Sequence, residues 1–226
     1  MNSMFIKDLF RRISLSNRRK KIKKMCRNHI IQEDISLICN NCTAGTMYSD
    51  LSLQFMSPTI NLCFGENSDF FEFCNHLEQY LMEGKLLESA KKETKKGFEN
   101  APIGVLSSKG LKDIEIHFLH YKNFDEANKK WIERSKRINY NKIIVLIEAK
   151  TPYEHSQINS YLTLKYPLFI FTDLTKFSSN KSVVHMPFYD KYGTNDKHPI
   201  LKITSLSGKR GYDTFDFVEK IFGYRF

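Results

Sequence analysis

The sequence predicts an α/β fold of three layers, α/β/α, in which a mostly parallel mixed sheet lies between helices. Short apolar segments have the length of buried strands, and helical patterns alternate with them, as in βαβ units with right-handed crossovers. A length of 226 residues and a hydrophobic fraction of 41% suffice for one sizeable core. The predicted strands are Asp34–Cys39, Thr59–Phe64, Pro102–Ser107, Asp113–Phe118, Lys142–Ala149, Pro167–Thr172, Val183–Met186 and Leu201–Ile203.

Helices are predicted between these strands wherever apolar residues recur at a spacing of three or four. Ser68 is placed to cap one of them, and the Lys109-Gly110 turn joins two neighbouring strands. Residues 83–100 are rich in Lys, Glu and Gly, which favours an exposed connection. The predicted helices are Ala44–Leu53, Asp69–Met82, Asp125–Arg137, Pro152–Leu162 and Tyr212–Ile221.

The positive charge is concentrated at the start of the chain. Residues 1–27 hold ten basic side chains against one acid, whereas the remainder holds 25 against 24, so nucleic acid is not the expected partner. We predict two domains: a basic helical arm, 1–30, and a single α/β domain, 31–226. The arm should contain two helices, with Ser16 or Asn17 capping the second. The first helix carries an apolar stripe of Phe5, Ile6, Leu9, Phe10 and Ile13.

Three roles remain open for this arm. An apolar stripe beside many basic side chains is typical of a helix that lies on an anionic membrane surface. Packing on the body or on a partner subunit is the second interpretation, and RNA binding is the third. The sequence does not indicate an oligomeric state.

The cysteines favour a reducing, cytoplasmic location. Their number is odd and they form no regular framework. Cys39 and Cys42 form a C-x-x-C pair, but the chain lacks a second pair at zinc-site spacing. Asp8, Arg11 and Arg12 interrupt the first apolar residues, so we expect no signal peptide, and no apolar run is long enough to span a bilayer.

The segment DIEIHFLHY, residues 113–121, contains the candidate catalytic residues. Strand alternation places Asp113, Glu115 and His117 on one face and the intervening apolar residues on the other, with His120 at the strand's exit. Rigidly held acids and histidines at a strand end suit general acid–base work or binding of a divalent metal, although the sequence names no cofactor. A solvated strand face explains the same pattern.

The candidate substrate ligands lie in two other places. Asn40 and Asn41 leave the first strand where open α/β sheets bind ligands, so we expect them near the acid–histidine cluster; a capping loop is the alternative. Arg134 and Arg137 share one helix face and would suit an anionic substrate, unless they are ordinary ion-paired arginines.

Glu148 and Lys150 form the E-x-K arrangement of metal-dependent nucleases. The nuclease interpretation requires that Asp113 converges on them.

Three stretches resemble an uncharacterised bacterial family of exopolysaccharide or capsular polysaccharide biosynthesis proteins: Asn40–Phe64, Asp113–Tyr121 and Ala127–Asn139. The resemblance implies a pathway and supplies no catalytic residues. On this basis we expect a transferase that acts on a sugar or sugar-phosphate substrate at the cytoplasmic membrane face. A non-catalytic accessory protein is the second hypothesis, and a nuclease-like phosphodiesterase is the third.

Overall fold

The computed structural model describes residues 3–91, 100–187, 189, 199–203 and 205–226. The helices are α1 (Ser3–Arg27), α2 (Thr43–Leu51), α3 (Asn67–Asn75), α4 (Leu77–Met82), α5 (Phe124–Ser135) and α6 (Pro152–Tyr161). The strands are β1 (Ser36–Cys39), β2 (Leu62–Phe64), β3 (Lys85–Glu88), β4 (Ile103–Ser107), β5 (Ile114–Phe118), β6 (Ile143–Ala149), β7 (Leu168–Thr172) and β8 (Val183–His185). Short helical turns follow at Thr175–Phe177, Pro199–Leu201, Gly211–Thr214 and Val218–Phe222.

A parallel sheet with strand order β1-β6-β7-β8 forms the centre of the fold. Every residue of β1, β6 and β7 is buried, as the continuous apolar runs in the sequence predict. Because all neighbouring pairs in this sheet are parallel, the carboxyl ends of the four strands meet at one edge. The residues that follow Cys39, Ala149 and Thr172 are thereby brought together.

The remaining strands form a second, antiparallel sheet with order β2-β5-β4-β3. The mixed α/β class is confirmed, but the single, mostly parallel sheet is wrong. β2 does not join β1 through a parallel βαβ unit; it pairs antiparallel with β5, Leu62 opposite Phe118. The predicted hairpin of β4 and β5 is confirmed. Part of the predicted connection at 83–100 is strand β3, while residues 92–99 lie outside the described part of the chain.

Two groups of buried side chains cover the two faces of the parallel sheet. One joins Val145 of β6 to residues of the antiparallel sheet such as Ile116 and to Trp131 of α5, which is 6% exposed. The other combines the opposite face of the sheet with Ile22 of α1, Tyr48 of α2 and the end of the chain. Trp131 is therefore a core residue.

Helix α1 is one continuous helix where the sequence predicts two. Ser14 and Asn17 lie within this continuous helix, and their side chains bond to the body of the protein. Ser14 Oγ donates to the carbonyl of Ser205 at 3.3 Å, and Asn17 Nδ2 donates to the carbonyl of Leu206 at 2.8 Å. The second half of α1 therefore packs on the domain.

A buried charge network holds this half of α1 in place. Arg18 is 2% exposed and donates to Asp50 of α2, at 2.7 and 3.0 Å, and to Asp213. Burial opposes ionisation of the Arg18 guanidinium, but Tyr212 and the two carboxylates outweigh it and raise its pKa. Arg210 also pairs with Asp50 at 3.0 Å. A residue of the predicted basic arm is thus one of the most buried charges of the described structure.

Candidate functional site at the edge of the parallel sheet

The carboxyl edge of the parallel sheet gathers polar side chains from each strand end. In open α/β folds this edge is where ligands bind, because the loops diverge there and leave a crevice. We call the following set the edge site: Asn40, Asn41, Glu148, His155, Asp173 and His185.

Glu148 is the most buried carboxylate of the edge site, at 3% exposed. Asn41 Nδ2 donates to its Oε2 at 2.6 Å. Asn40 exchanges two hydrogen bonds with the Glu148 backbone, each 3.1 Å long. Asn41 Oδ1 also accepts from the amide of Thr43 at 2.8 Å, at the start of α2. The two asparagines therefore join β1 to β6 and hold Glu148, as the alternative of a capping loop predicts. Substrate binding by them stays a prediction.

The charge of Glu148 affects its buried neighbours. Burial raises the pKa of the Cys39 thiol to about 12 and that of Cys42 to about 11, and the carboxylate of Glu148 contributes to both shifts. Burial likewise raises the pKa of Tyr189, with a further contribution from Glu148 beside it. The C-x-x-C pair is therefore held as neutral thiols, and both cysteines are free.

A histidine and an aspartate lie on the more accessible side of the edge site. His155 Nε2 lies 2.8 Å from Asp173 Oδ1, and the two side chains are 17% and 21% exposed. His185 Nε2 lies 3.1 Å from the carbonyl of Asp173. His155 is positioned by the start of α6, where Thr151 and Glu154 form a reciprocal cap. A partly exposed imidazole oriented by a carboxylate can act as a general base.

The sequence-based prediction missed His155, Asp173 and His185. Asp173 directly follows β7, His185 ends β8, and His155 lies in the first turn of the helix after β6. The argument that selected Asn40 and Asn41, namely position at the end of a buried parallel strand, would have selected these residues as well.

The predicted catalytic residues lie in the other sheet. The alternation along β5 is confirmed: Ile114 and Ile116 are fully buried. Glu115 Oε1 lies 2.9 Å from His117 Nε2, but His117 is only 1% exposed. Burial opposes ionisation of Glu115, and hydrogen bonds from Lys91 and His117 outweigh it and lower its pKa. His117 is thus far less accessible than a strand-end base should be.

Asp113 and His120, the other two predicted catalytic residues, are exposed at the two ends of β5. The expected common site with Asn40 and Asn41 depended on one parallel sheet, in which β1 and β5 would end at the same edge. Since β5 belongs to the antiparallel sheet, that reason no longer holds.

Arg134 and Arg137 contact the segment that follows α2. Arg134 is 8% exposed; it donates to the Tyr121 hydroxyl at 2.6 Å and lies 5.0 Å from the centre of the Phe55 ring. Arg137 donates to the carbonyl of Phe55 at 3.3 Å. These contacts anchor the Phe55 segment on α5. Substrate clamping by the two arginines stays a prediction.

Among residues 3–91, 100–187, 189, 199–203 and 205–226, one group of three potential metal ligands lies within 4.8 Å: His29, Asp216 and Glu219. It lies between the end of α1 and the last helical segment, and its side chains are 23%, 42% and 67% exposed. Asp113 and Glu148 are not in this group. Convergence of Asp113 on Glu148 and Lys150, and with it the nuclease hypothesis, stays a prediction.

These observations define a mixed α/β protein with a polar site at the carboxyl edge of a parallel sheet. The chain belongs to the family described as a domain of unknown function, DUF1919, whose model matches residues 13–221. It is also similar to an uncharacterized protein of Haemophilus influenzae, at 25% identity over 208 residues, which cover 91% of this chain and 94% of that protein. The match begins within α1 and so includes the half of that helix that packs on the body.

Proposed function

We propose that the protein is a transferase of cell-surface polysaccharide assembly that acts on a sugar or sugar-phosphate at the edge site. The observation that carries this proposal is the 2.8 Å contact of His155 with Asp173 at the carboxyl edge of the sheet. The substrate class comes from the sequence resemblance. A sugar acceptor reacts through a hydroxyl group, and a base of this kind can remove the proton of that hydroxyl.

The proposed step is transfer of a glycosyl group from a sugar-phosphate donor. In the tautomer in which His155 Nε2 carries the proton and donates a hydrogen bond to Asp173 Oδ1, the lone pair of the imidazole lies on Nδ1. The acceptor hydroxyl oxygen forms a bond to the anomeric carbon of the donor, and its proton goes to Nδ1. The bond between that carbon and the phosphate oxygen breaks, and the phosphate leaves with the electron pair. Asp173 orients the imidazole and stabilises the imidazolium.

The proposal places the chemistry at His155 because that side chain is 17% exposed, whereas His117 is 1% exposed. The test is a thermal-shift screen with sugar nucleotides, with and without divalent ions, followed by a turnover assay on the compounds that raise the melting temperature. His155→Gln should lower turnover by about 10²-fold to 10⁴-fold and leave binding nearly unchanged. His76→Gln, in another partly exposed histidine, is the control.

Three other outcomes have distinct meanings. If His117→Gln abolishes turnover and His155→Gln does not, the chemistry belongs to β5. Binding without turnover would favour the accessory protein. If no sugar nucleotide or sugar phosphate binds, the proposed substrate class is wrong.

A location at the cytoplasmic membrane face is the second part of the proposal, and α1 supports it. The apolar side chains in its first half are 40–48% exposed: Ile6, Leu9, Phe10 and Ile13. The basic side chains in its second half are exposed as well: Arg19, Lys20, Lys23, Lys24 and Arg27. The Phe5 side chain lies outside the described part. An outward surface of this composition suits anionic lipid headgroups. None of the described helices has the length and apolar character needed to cross a bilayer.

Vesicle co-sedimentation tests this part. Deletion of residues 1–27 is unsuitable, because it would remove the buried Arg18. Leu9→Glu and a triple Lys20, Lys23 and Lys24→Glu variant should each reduce binding to anionic vesicles, and salt should reduce binding of the native protein. Tyr153→Glu, in α6, is the control for Leu9, since Tyr153 is 47% and Leu9 is 48% exposed. Equal binding to neutral vesicles would exclude an electrostatic membrane contact.

A further inference from the structure

A cavity of about 580 Å³ opens where α4, β3, α5 and the segment after α5 meet. Its wall is mostly apolar and includes Leu81, Leu86, Trp131, Ile132, Ile138 and Tyr140. Pockets for small molecules have volumes of roughly 300–1,000 Å³ and mostly apolar linings. The cavity is therefore of a size and composition that suit a small apolar ligand.

The turn between α4 and β3 shapes one wall. A Cβ at Gly84 would lie 2.2 Å from the Tyr80 carbonyl oxygen and 3.1 Å from Leu106, so only glycine allows the chain to turn this closely against the end of α4. The turn leads directly into β3, the edge strand of the antiparallel sheet. Leu81 and Leu86 thereby line the same cavity from the two sides of the turn.

Apolar side chains continue from the cavity onto the surface around it. Met82, Leu87 and Ile132 line the cavity and are nevertheless 65%, 60% and 46% exposed. Exposed apolar side chains clustered around a cavity are typical of a ligand-binding surface, whereas isolated ones are ordinary. An occupant that extends out of the cavity would cover them.

The charged part of the lining is cationic. Lys85 and Lys136 line the cavity and are exposed, and none of the described residues that line it is acidic. An anionic group at the mouth of the cavity would therefore meet two positive charges. We propose that this cavity binds a long-chain carboxylate, with its aliphatic chain on the apolar wall and its carboxylate beside Lys85 and Lys136. This site is separate from the edge site and does not depend on the proposed transferase activity.

Trp131 is the one tryptophan of the chain and lines the cavity, so its fluorescence reports on the site. Titration of the full-length protein with dodecanoate, below its micellar concentration, should change the emission in a saturable, one-to-one manner. Decanoate, which is two methylenes shorter, should bind on the order of ten-fold more weakly. Dodecanol should bind more weakly than dodecanoate because it lacks the charge. The absence of a saturable change, or equal affinity for dodecanol, would overturn the proposal.

Two matched pairs of variants locate the bound carboxylate. Ile132→Glu should weaken dodecanoate binding at least about ten-fold, because it places a charge in the apolar wall; Leu206→Glu changes a similarly exposed residue, 52% against 46%, away from the cavity. Lys136→Glu should weaken binding, and Lys181→Glu, at another exposed lysine, should not. Circular dichroism establishes that each variant is folded. If the members of either pair bind equally well by calorimetry, the site is not this cavity.

Discussion

Arg18 of α1 and Asp213, which is 195 residues further along the chain, form an ion pair in which each side chain is only 2% exposed. The pair links the start of the chain to its end. Asp50 contacts the same guanidinium, so two carboxylates face one buried cation. The packing of α1 on the domain depends on this arrangement.

Replacement of Arg18 by Met should destabilise the protein by up to about 3 kcal/mol, because it removes the buried cation that both carboxylates share, while Arg210 still pairs with Asp50 and Lys21 with Asp213. Arg19→Met removes the same charge from an exposed neighbour and should change stability by no more than about 0.5 kcal/mol. Urea unfolding followed by circular dichroism measures both. Similar losses in the two variants would show that the buried network does not stabilise the fold.

Gly208→Ala should also loosen α1. Gly208 has φ of +73°, and a Cβ there would lie 2.3 Å from the Ser14 carbonyl oxygen. Gly110 has φ of +78° with no atom within 4 Å, so Gly110→Ala isolates the cost of the backbone conformation, about 1 kcal/mol. Gly208→Ala adds the clash and should cost roughly 2–4 kcal/mol. Equal melting temperatures for the two variants would contradict this close approach.

Asn41→Ala should destabilise the protein by about 1–3 kcal/mol. The substitution removes the amide that donates to the buried Glu148 carboxylate and the oxygen that accepts from Thr43. Asn141→Ala, at an exposed asparagine, is the control. A loss no larger than that of the control would mean that water replaces the Asn41 amide.

His29→Gln should remove a pH-dependent part of the stability. His29 Nδ1 bonds to the Met25 carbonyl, and Nε2 lies 3.9 Å from Asp216 and 3.7 Å from Glu219. The Met25 carbonyl and then the two carboxylates raise its pKa above 6.5, despite an opposing effect of burial. A histidine whose pKa is higher in the folded state than in the unfolded state contributes stability at pH values below its unfolded-state pKa. This contribution is lost as the pH rises through the folded-state pKa. The free energies of unfolding of native protein and variant should therefore differ more at about pH 6 than at about pH 8; an unchanged difference would contradict the pairing.

Cys39 and Cys42 should react slowly with thiol reagents in the folded protein. With pKa values of about 12 and about 11, both thiols are almost wholly protonated at neutral pH, and only the thiolate is nucleophilic. Mass spectrometry after brief alkylation, with urea-unfolded protein as the control, measures this at each cysteine. Labelling at the unfolded rate would show that the two thiols are accessible and ionised.

Local patterns predicted many of the elements. The alternation along Asp113–Phe118 correctly indicated that Ile114, Ile116 and Phe118 are buried, and the Lys109-Gly110 turn correctly indicated a hairpin. Such predictions succeed because strand periodicity and turn chemistry depend on neighbours in sequence. The same alternation did not indicate that His117, on the opposite face, is also buried, since the covering of that face depends on distant parts of the chain.

The candidate site was predicted only in part. Asn40 and Asn41 do lie at the edge of the parallel sheet, but Glu115 and His117, expected beside them, lie in β5 of the antiparallel sheet, and Asp113 precedes that strand. Their place is taken by Glu148, His155 and Asp173. The error came from assigning β2 and β5 to the parallel sheet, because a short apolar strand carries no local mark of the partner with which it pairs.

The sequence by itself determined the α/β class, most of the strands and helices of the body and the concentration of charge in residues 1–27. It did not indicate β3, and two predicted segments are wrong: a helical turn ends at Leu201 where a strand was predicted, and the helix predicted at Asp69–Met82 is divided into α3 and α4. Only the tertiary structure decided how the strands divide between two sheets, that Arg18 is buried while Arg19 stays exposed, and that His155 meets Asp173. The physical reason is range: propensity and periodicity act over a few residues, whereas strand pairing and charge pairing join residues far apart in the chain.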